Sequence, residues 1–370
     1  MNLAITQTSK KPISLKDSVD HAFDLSDFII DANGFVPVPV FITDRALGGF
    51  GAALIPVFIK RRPAYIDSVK GKIIRTPVAP DITGGLAAYT ANNTWAVGAF
   101  RSGNFIKSRI KYRVGALYAH VNMSFYKEFS QLGEKELKLT LNTIPVLLQA
   151  AKRIGVSYWF AGLKYMFLHT DISYSGDTIL SDLAKSYEFS SVISQLGALI
   201  DYDSRDNVFT PDKGVKFHTE FNWSDNILGS DFDFWRINYY SYLYHPIGQR
   251  LIAGLRLDGQ QNIGDAPFFM LPYIDMRGIP AFRYQGEADV VSELELRYDL
   301  VKRWSAVAFG GAGKAFDDWK QFGSSDWRLT YGGGFRYLMA RKFKLRAGVD
   351  VARGAGFWSY YIVFGSSWLK

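Results

Sequence analysis

Apolar and polar residues alternate with a period of two along much of the chain. In "FKLRAGVDVA", Phe343, Leu345, Ala347, Val349 and Val351 share one parity, Lys344, Arg346 and Asp350 the other, and Gly348 stands between. "ELKLTLN" sets Leu137, Leu139 and Leu141 against Glu136, Lys138, Thr140 and Asn142. "LIAGLRLDG" sets Leu251, Ala253, Leu255 and Leu257 against Arg256 and Asp258. Successive side chains of a strand point to opposite faces, so this period predicts β-strands with one apolar and one polar face.

Two architectures share that pattern. A soluble sandwich turns its apolar faces inward; a membrane barrel turns them to lipid and its polar faces to the lumen. Length and aromatic placement favour the barrel. "SRIKYRVGALYAHVNMSFYK" and "VSYWFAGLKYMFLHTDISYS" run without a strong breaker, well past the roughly 5–6 residues usual in soluble sheets. Aromatics gather near strand ends, as in "YYSYLY" and "FWSYYIVF", where interfacial girdles sit. No apolar run is long enough for a membrane helix, which needs about 18 such residues.

The pattern predicts strands over 34–43, 47–59, 82–90, 93–103, 108–127, 135–150, 154–175, 190–204, 214–224, 232–246, 249–264, 289–299, 303–315, 326–341, 343–354 and 357–369. Sixteen strands suit a bacterial barrel, which has an even number. With the N-terminus in the periplasm, every odd-to-even connection lies outside, and residues 60–81 make an oddly long inner turn. In the fifth strand, Ile110, Tyr112, Val114 and Ala116 share one parity, but Val121, Met123 and Phe125 share the other. A β-bulge near Ala116–Leu117 would restore the phase; a mistaken boundary is the alternative. Residues 1–33 form a separate periplasmic or luminal segment with room for a short amphipathic helix, and 34–370 form the barrel. Apolar Val19, Phe23 and Leu25 suit a lid across the inner mouth.

Composition narrows the chemistry. The 370 residues include no cysteine, which excludes disulfides and thiolate metal sites. A net charge of +8 carries no basic run with interleaved aromatics, so it does not point to nucleic acid and fits an anionic lipid surface or a cation-lined cavity. His21, His120, His169, His218 and His245 are scattered away from any nucleophile or metal spacing. Neither an enzyme, a metal nor a cofactor is expected. The first twenty residues lack the apolar core of a signal peptide.

Between the eleventh and twelfth strands lies "DMRGIPAFRYQG", residues 275–286. An outer loop of this length is costly to order. The cost is offset if the loop folds into the lumen and Arg277 forks onto a wall carboxylate, a geometry Lys cannot copy. Gly278 would let the backbone turn tightly beside the wall. The alternative is a solvated loop arginine.

"RGIPAFRYQG" resembles the Arg-Gly-aromatic loop motif of the outer-membrane assembly-factor barrels, the BamA, TamA and FhaC superfamily of bacterial surface antigens. "DYDSRDNVFTPDKG" resembles that family's inner-turn motif through Asp203, Arg205, Asp206, Pro211 and Gly214. "FITDRALGGFGAAL" is similar to its first hairpin and "ELRYDL" to its twelfth strand. The resemblance spans about residues 34–370 and implies an all-β, 16-stranded transmembrane antiparallel barrel with an inward-folded sixth outer loop. It also implies that Arg277 meets Glu295, with Glu293 the runner-up. Two departures stand out. Ile279 replaces the usual aromatic, and Gly311 falls where the thirteenth strand often carries Asp, so the latch is expected to be simpler or to use Asp289 or Glu287 instead.

The ends of the barrel carry a further signal. Gly365 and Trp368 in "YYIVFGSSWLK" resemble the terminal signal by which such barrels are recognised, and also suit a last strand ending in a girdle aromatic. Pro37 and Pro39 in "FVPVPVFIT" remove two donors toward one neighbour. Either that neighbour is the last strand and the closing seam is weak, or both prolines precede the membrane-spanning part. The resemblance implies insertion or translocation of proteins or lipids through that seam in the outer membrane of a Gram-negative bacterium. Outer-membrane lipids, lipopolysaccharide and protein partners standing in for POTRA domains are the expected surroundings, since no POTRA pattern precedes the barrel. The rival reading is a passive pore or structural barrel.

Overall fold

The computed structural model describes residues 14–31, 34–60, 62–69, 71–76, 78–129, 133–174 and 189–368. Parts of the expected N-terminal segment, 1–13 and 32–33, lie outside the described residues, as do position 175 and position 369 of the expected strands. A short helix, α1 (Ser26–Asp31), precedes β1 (Phe35–Ile42) and β2 (Gly51–Lys60). Two short strands follow, β3 (Tyr65–Val69) and β4 (Lys72–Thr76). Then come β5 (Asp81–Thr90), β6 (Trp95–Phe105), β7 (Ile110–Phe129), β8 (Gly133–Arg153), β9 (Trp159–Tyr174), β10 (Phe189–Asp203) and β11 (Gly214–Ser224). The last are β12 (Phe234–Pro246), β13 (Leu251–Gly264), β14 (Ala288–Val301), β15 (Trp304–Phe316), β16 (Arg328–Ala340), β17 (Leu345–Gly354) and β18 (Phe357–Phe364).

All but β3 and β4 join one 16-stranded antiparallel sheet in chain order, which curls until β1 and β18 lie side by side. Alternation dictates the two faces. On β13, Leu257 is exposed outward while Arg256 and Asp258 are buried inside; on β17, Asp350 is fully buried. No helix among the described residues is long and apolar enough to cross a membrane; strands would do so.

The strand carrying the parity switch corrects one expectation. β7 and β8 keep a single register from Ala116 opposite Val146 to Ala119 opposite Thr143, so no bulge lies at Ala116–Leu117. The apolar residues change parity because their surroundings change. Val121 and Met123 point inward, where they join Leu139, Leu141, Ile172 and Ile193 in a core inside the barrel. The leucines of "ELKLTLN" that belong to this core therefore face the lumen, not lipid. Above the lipid belt the polarity of the wall is inverted, because the sixth outer loop supplies an apolar partner there.

Within the long connection between β2 and β5, β3 pairs with β4 as a hairpin. Its Asp67 is buried between Arg109 and Arg153, the latter at 2.8 Å. The barrel thus has one end with short turns, to which this hairpin belongs, and one with longer loops.

Candidate functional site inside the barrel

The sixth outer loop, residues 265–287, enters the lumen from the loop end. Two apolar anchors hold it. Phe269 packs into the core of Leu139, Leu141, Ile172 and Ile193, and Ile274, Met276 and Ile279 pack with Val291 of β14. Ile279, which stands in place of an aromatic, is buried.

At the loop tip Arg277 is buried and meets three carboxylates. It forks onto Glu293 Oε1, with Nε at 3.1 Å and Nη2 on the same oxygen. Nη2 lies 2.9 Å from Glu295 Oε2, and Nη1 donates to Asp350 Oδ2 at 2.7 Å. The guanidinium also lies 3.5 Å from the Phe309 ring centroid, a cation–π contact. The further acid is Asp350 of β17, rather than the expected Asp289 or Glu287. Gly311 leaves room here: a side chain there would meet Met276 Sδ at 3.1 Å and Glu293 Cγ at 3.3 Å. Asp350 is shared with Arg336, which donates through Nη2 at 2.9 Å. Two cations and three acids, the deepest of them fully buried, form one network in which every carboxylate faces a guanidinium, the pairing that burial demands.

Gly278 follows with φ +91°. A Cβ there would stand 2.9 Å from the Gly354 backbone nitrogen, so both conformation and space require glycine. Its N–H donates to the Tyr361 hydroxyl of β18 at 2.8 Å.

The C-terminal residues correct another expectation. β18 ends at Phe364, Gly365 takes φ +80°, and the chain turns into the lumen. Trp368 is therefore not a girdle aromatic. It packs against Tyr242 and Tyr244, and its indole N–H donates to Glu293 Oε1 at 2.8 Å. Ser367 Oγ accepts from Arg277 at 3.0 Å and from Arg336 at 3.2 Å.

The inner turn 204–213 reaches toward the same tail. Asp203 accepts two donors from Arg205, at 2.9 and 2.8 Å. Asp206 closes the turn by accepting from the Asp212 and Lys213 backbone, and Lys344 donates to it at 2.8 Å. Burial raises the affinity of Asp206 for a proton, but Lys344 and the two N–H groups outweigh it and hold the carboxyl below its usual range. The Pro211 carbonyl accepts from Arg297, and Gly214, at φ +111°, packs where a Cβ would be 2.5 Å from Ser204 O. Phe209 O accepts from Ser366 N at 2.6 Å. Turn and tail together span the short-turn end.

At the seam, no ladder joins β1 to β18 among the described residues. Ile59 N donates to Gly34 O at 2.7 Å, which makes that pair a hydrogen-bonded one. Counting along the register, Val36, Val38 and Val40 bond toward β2, while Pro37 and Pro39 occupy the alternate positions. Their missing N–H groups face away from β2, toward β18.

These features can be set beside known proteins. Residues 93–275 match the Omp85 superfamily domain. The chain carries an Omp85 superfamily domain. Among solved structures, BamA from Haemophilus ducreyi lacking POTRA domains 1–3 is similar at TM-score 0.59 and 13% identity, over 90% of this chain and 70% of that one. CdiB from Escherichia coli gives 0.58 at 10% identity over 89% of this chain and 62% of that one. CdiB from Acinetobacter baumannii gives 0.53 at 9%, over 89% and 59%. The chain thus spans about three fifths of each CdiB. No curated protein sequence matches it. Omp85 barrels sit in the outer membrane of Gram-negative bacteria.

This Omp85 barrel also carries a wall network that motif reasoning missed. Asp201 accepts from Lys111 and lies 3.0 Å from Lys216; His218 bridges Asp201 and Glu220, and Lys164 donates to Glu220 at 2.6 Å. The signal was the inward parity of their strands, not their spacing. A cavity of about 310 Å³ remains beside it under the loop, lined by Lys164, Gln195, Asn222, Arg236 and Phe269 among others. Among the described residues no group of His, Asp and Glu is arranged to hold a metal ion.

Proposed function

We propose that this barrel aids insertion or translocation of proteins or lipids in the outer membrane, through the seam between β1 and β18. The observation that carries the reading is the unpaired seam, with Pro37 and Pro39 presenting no donor to β18. An open edge can accept an extended client segment by strand addition, and in lipid an unpaired backbone group favours any partner that satisfies it. The Gly278 N–H bond to Tyr361 couples the seam strand to the lumen loop, so the loop's seating would bear on β18. Protein partners and lipopolysaccharide are part of this reading. The rival, a passive pore, is less well supported, because the loop, the inner turn and the C-terminal tail all occupy the lumen.

The test uses the absence of native cysteine. A cysteine pair placed across β1 and β18 is oxidised in proteoliposomes, and assembly of a small client barrel is followed by its heat-modifiable mobility. Oxidation should stop assembly and reduction restore it. Equal assembly in both states, or steady conductance from the unmodified protein, would favour the passive reading.

A further inference from the structure

We infer that residues 14–25 are a membrane-contacting strap, whose Leu15, Val19 and Phe23 lie in the lipid interface at the short-turn end of the barrel. Three observations lead there: the shape of the segment, the side of the barrel it lies on, and the sorting of its side chains.

The segment is a small closed loop. Lys16 bridges Phe23, Asp17 N donates to Ala22 O at 2.9 Å, and Asp24 N donates to Leu15 O at 2.9 Å. Its contacts to the barrel fall on the turns beneath β14–β17, not across the mouth as a lid would. Arg303 is chelated by Asp17 at 2.9 Å, Asp20 at 2.6 Å and Asp24 at 2.6 Å, and Arg341 donates to Asp17 at 2.6 Å.

The side follows from register. Ser305, Val307 and Phe309 of β15 are buried inside the barrel, so Trp304 points to lipid, and so does Tyr337, its partner on β16. The two rings lie 5.0 Å apart and belong to the outward aromatic belt. Tyr337 donates its hydroxyl to Phe23 O at 3.0 Å, and Leu25 N donates to Met339 O at 2.7 Å. The strap is therefore continuous with the lipid-facing surface.

The side chains are sorted to match. Asp17 and Asp24 are buried against the arginines, while Leu15, Val19 and Phe23 are 46%, 69% and 46% exposed. Three apolar side chains at intervals of four, left open beside an aromatic belt, call for an apolar medium rather than water. Exposed Lys16 at the same rim suits a phosphate headgroup, beside Arg341 and Lys342, which are paired with Asp17 and Asp27 and remain partly exposed. A bilayer fits both sets at once.

The chain's lack of cysteine allows a single label at each site. Val19→Cys and, as an aqueous reference, Asp326→Cys in the loop between β15 and β16, where Asp326 is 78% exposed, each carry a polarity-sensitive fluorophore in proteoliposomes. Iodide is present on both sides of the membrane. The label at 19 should resist iodide several-fold better than that at 326, and phospholipids bearing a shallow nitroxide should quench it. Iodide quenching equal to that at 326, without quenching from the lipid, overturns the inference. So does protection that arises only when a membrane-protein extract is added, since the strap would then be a protein-docking element.

Discussion

Trp368 donates its indole N–H to the same Glu293 oxygen that Arg277 engages, 2.8 Å from the indole nitrogen. The last residues of the chain and the tip of the sixth outer loop therefore share one buried acceptor. With Gly278 bonded to Tyr361, the loop is joined to the seam strand as well as to the tail that follows it.

Arg277→Ala should destabilise the barrel by about 3–5 kcal/mol, because it strands a buried carboxylate. Glu293 bears most of that effect, since Arg336 still compensates Asp350. Arg277→Lys keeps the charge but loses the fork, so its loss should be smaller. The thermal midpoint of the heat-modifiable band reports both; an unchanged midpoint for the alanine variant would show that the network contributes nothing.

Trp368→Phe keeps an aromatic ring against Tyr242 and Tyr244 and removes only the donor. Glu293 Oε1 keeps its bonds from Arg277, so the expected loss is that of one hydrogen bond to a charged group, about 1.5–3 kcal/mol. The same electrophoretic midpoint checks it, and protease access to the sixth outer loop should rise in parallel.

Gly278→Ala places a side chain at φ +91° and 2.9 Å from the Gly354 nitrogen. Strain of about 1–3 kcal/mol should lift the loop tip from the wall. Spin labels on the loop and on β17 should move apart; an unchanged distance would place the strain elsewhere.

Replacing Pro37 and Pro39 with Val restores two donors on the edge facing β18. Each bond formed adds about 0.5–1.5 kcal/mol, so the seam should tighten and client assembly should slow. Slower amide exchange in residues 357–364 would register the new ladder. Faster assembly would contradict the gating role.

The strap should respond to acid. Arg341 donates to Asp17, with the Val19 N–H and the nearby Arg303 acting in the same sense, and Arg303 donates to Asp20; both carboxyls sit below their ordinary range. Burial raises Asp24, but its bonds to Ser26, Arg341 and Arg303 outweigh that and lower it too. A carboxyl depressed in the folded state contributes fully above its unfolded pKa of about 4 and loses that contribution as pH falls below it. The strap should therefore stay docked at neutral pH and loosen only under strong acid, seen as rising proteolysis of residues 14–31. Release between pH 6 and 8 would be inconsistent with these ion pairs.

The alternation in "FKLRAGVDVA" and "LIAGLRLDG", the long strands and the aromatic ends were enough to read a sixteen-stranded barrel, because period two is a local property of each strand. The position of "DMRGIPAFRYQG" between two strands left an inward loop and a solvated one open, and the resemblance of its motif favoured the inward loop with Arg277 at its tip. The partners of Arg277 were only partly legible. Glu293 and Glu295 are sixteen and eighteen residues on, in the next strand, but Asp350 lies three strands further along the wall, separated by 73 residues. Curvature and closure bring β17 to the loop, and no local pattern encodes that distance. Likewise Leu139 and Leu141 carry the alternation of a lipid-facing strand; only the loop packed inside the barrel makes their inward side the apolar one. The inward turn at Gly365 was equally invisible, since a tryptophan near the end of a last strand suits a girdle as well as a lumen. Which medium a strand face meets, and which distant acid meets an arginine, are decided by register and closure of the whole sheet.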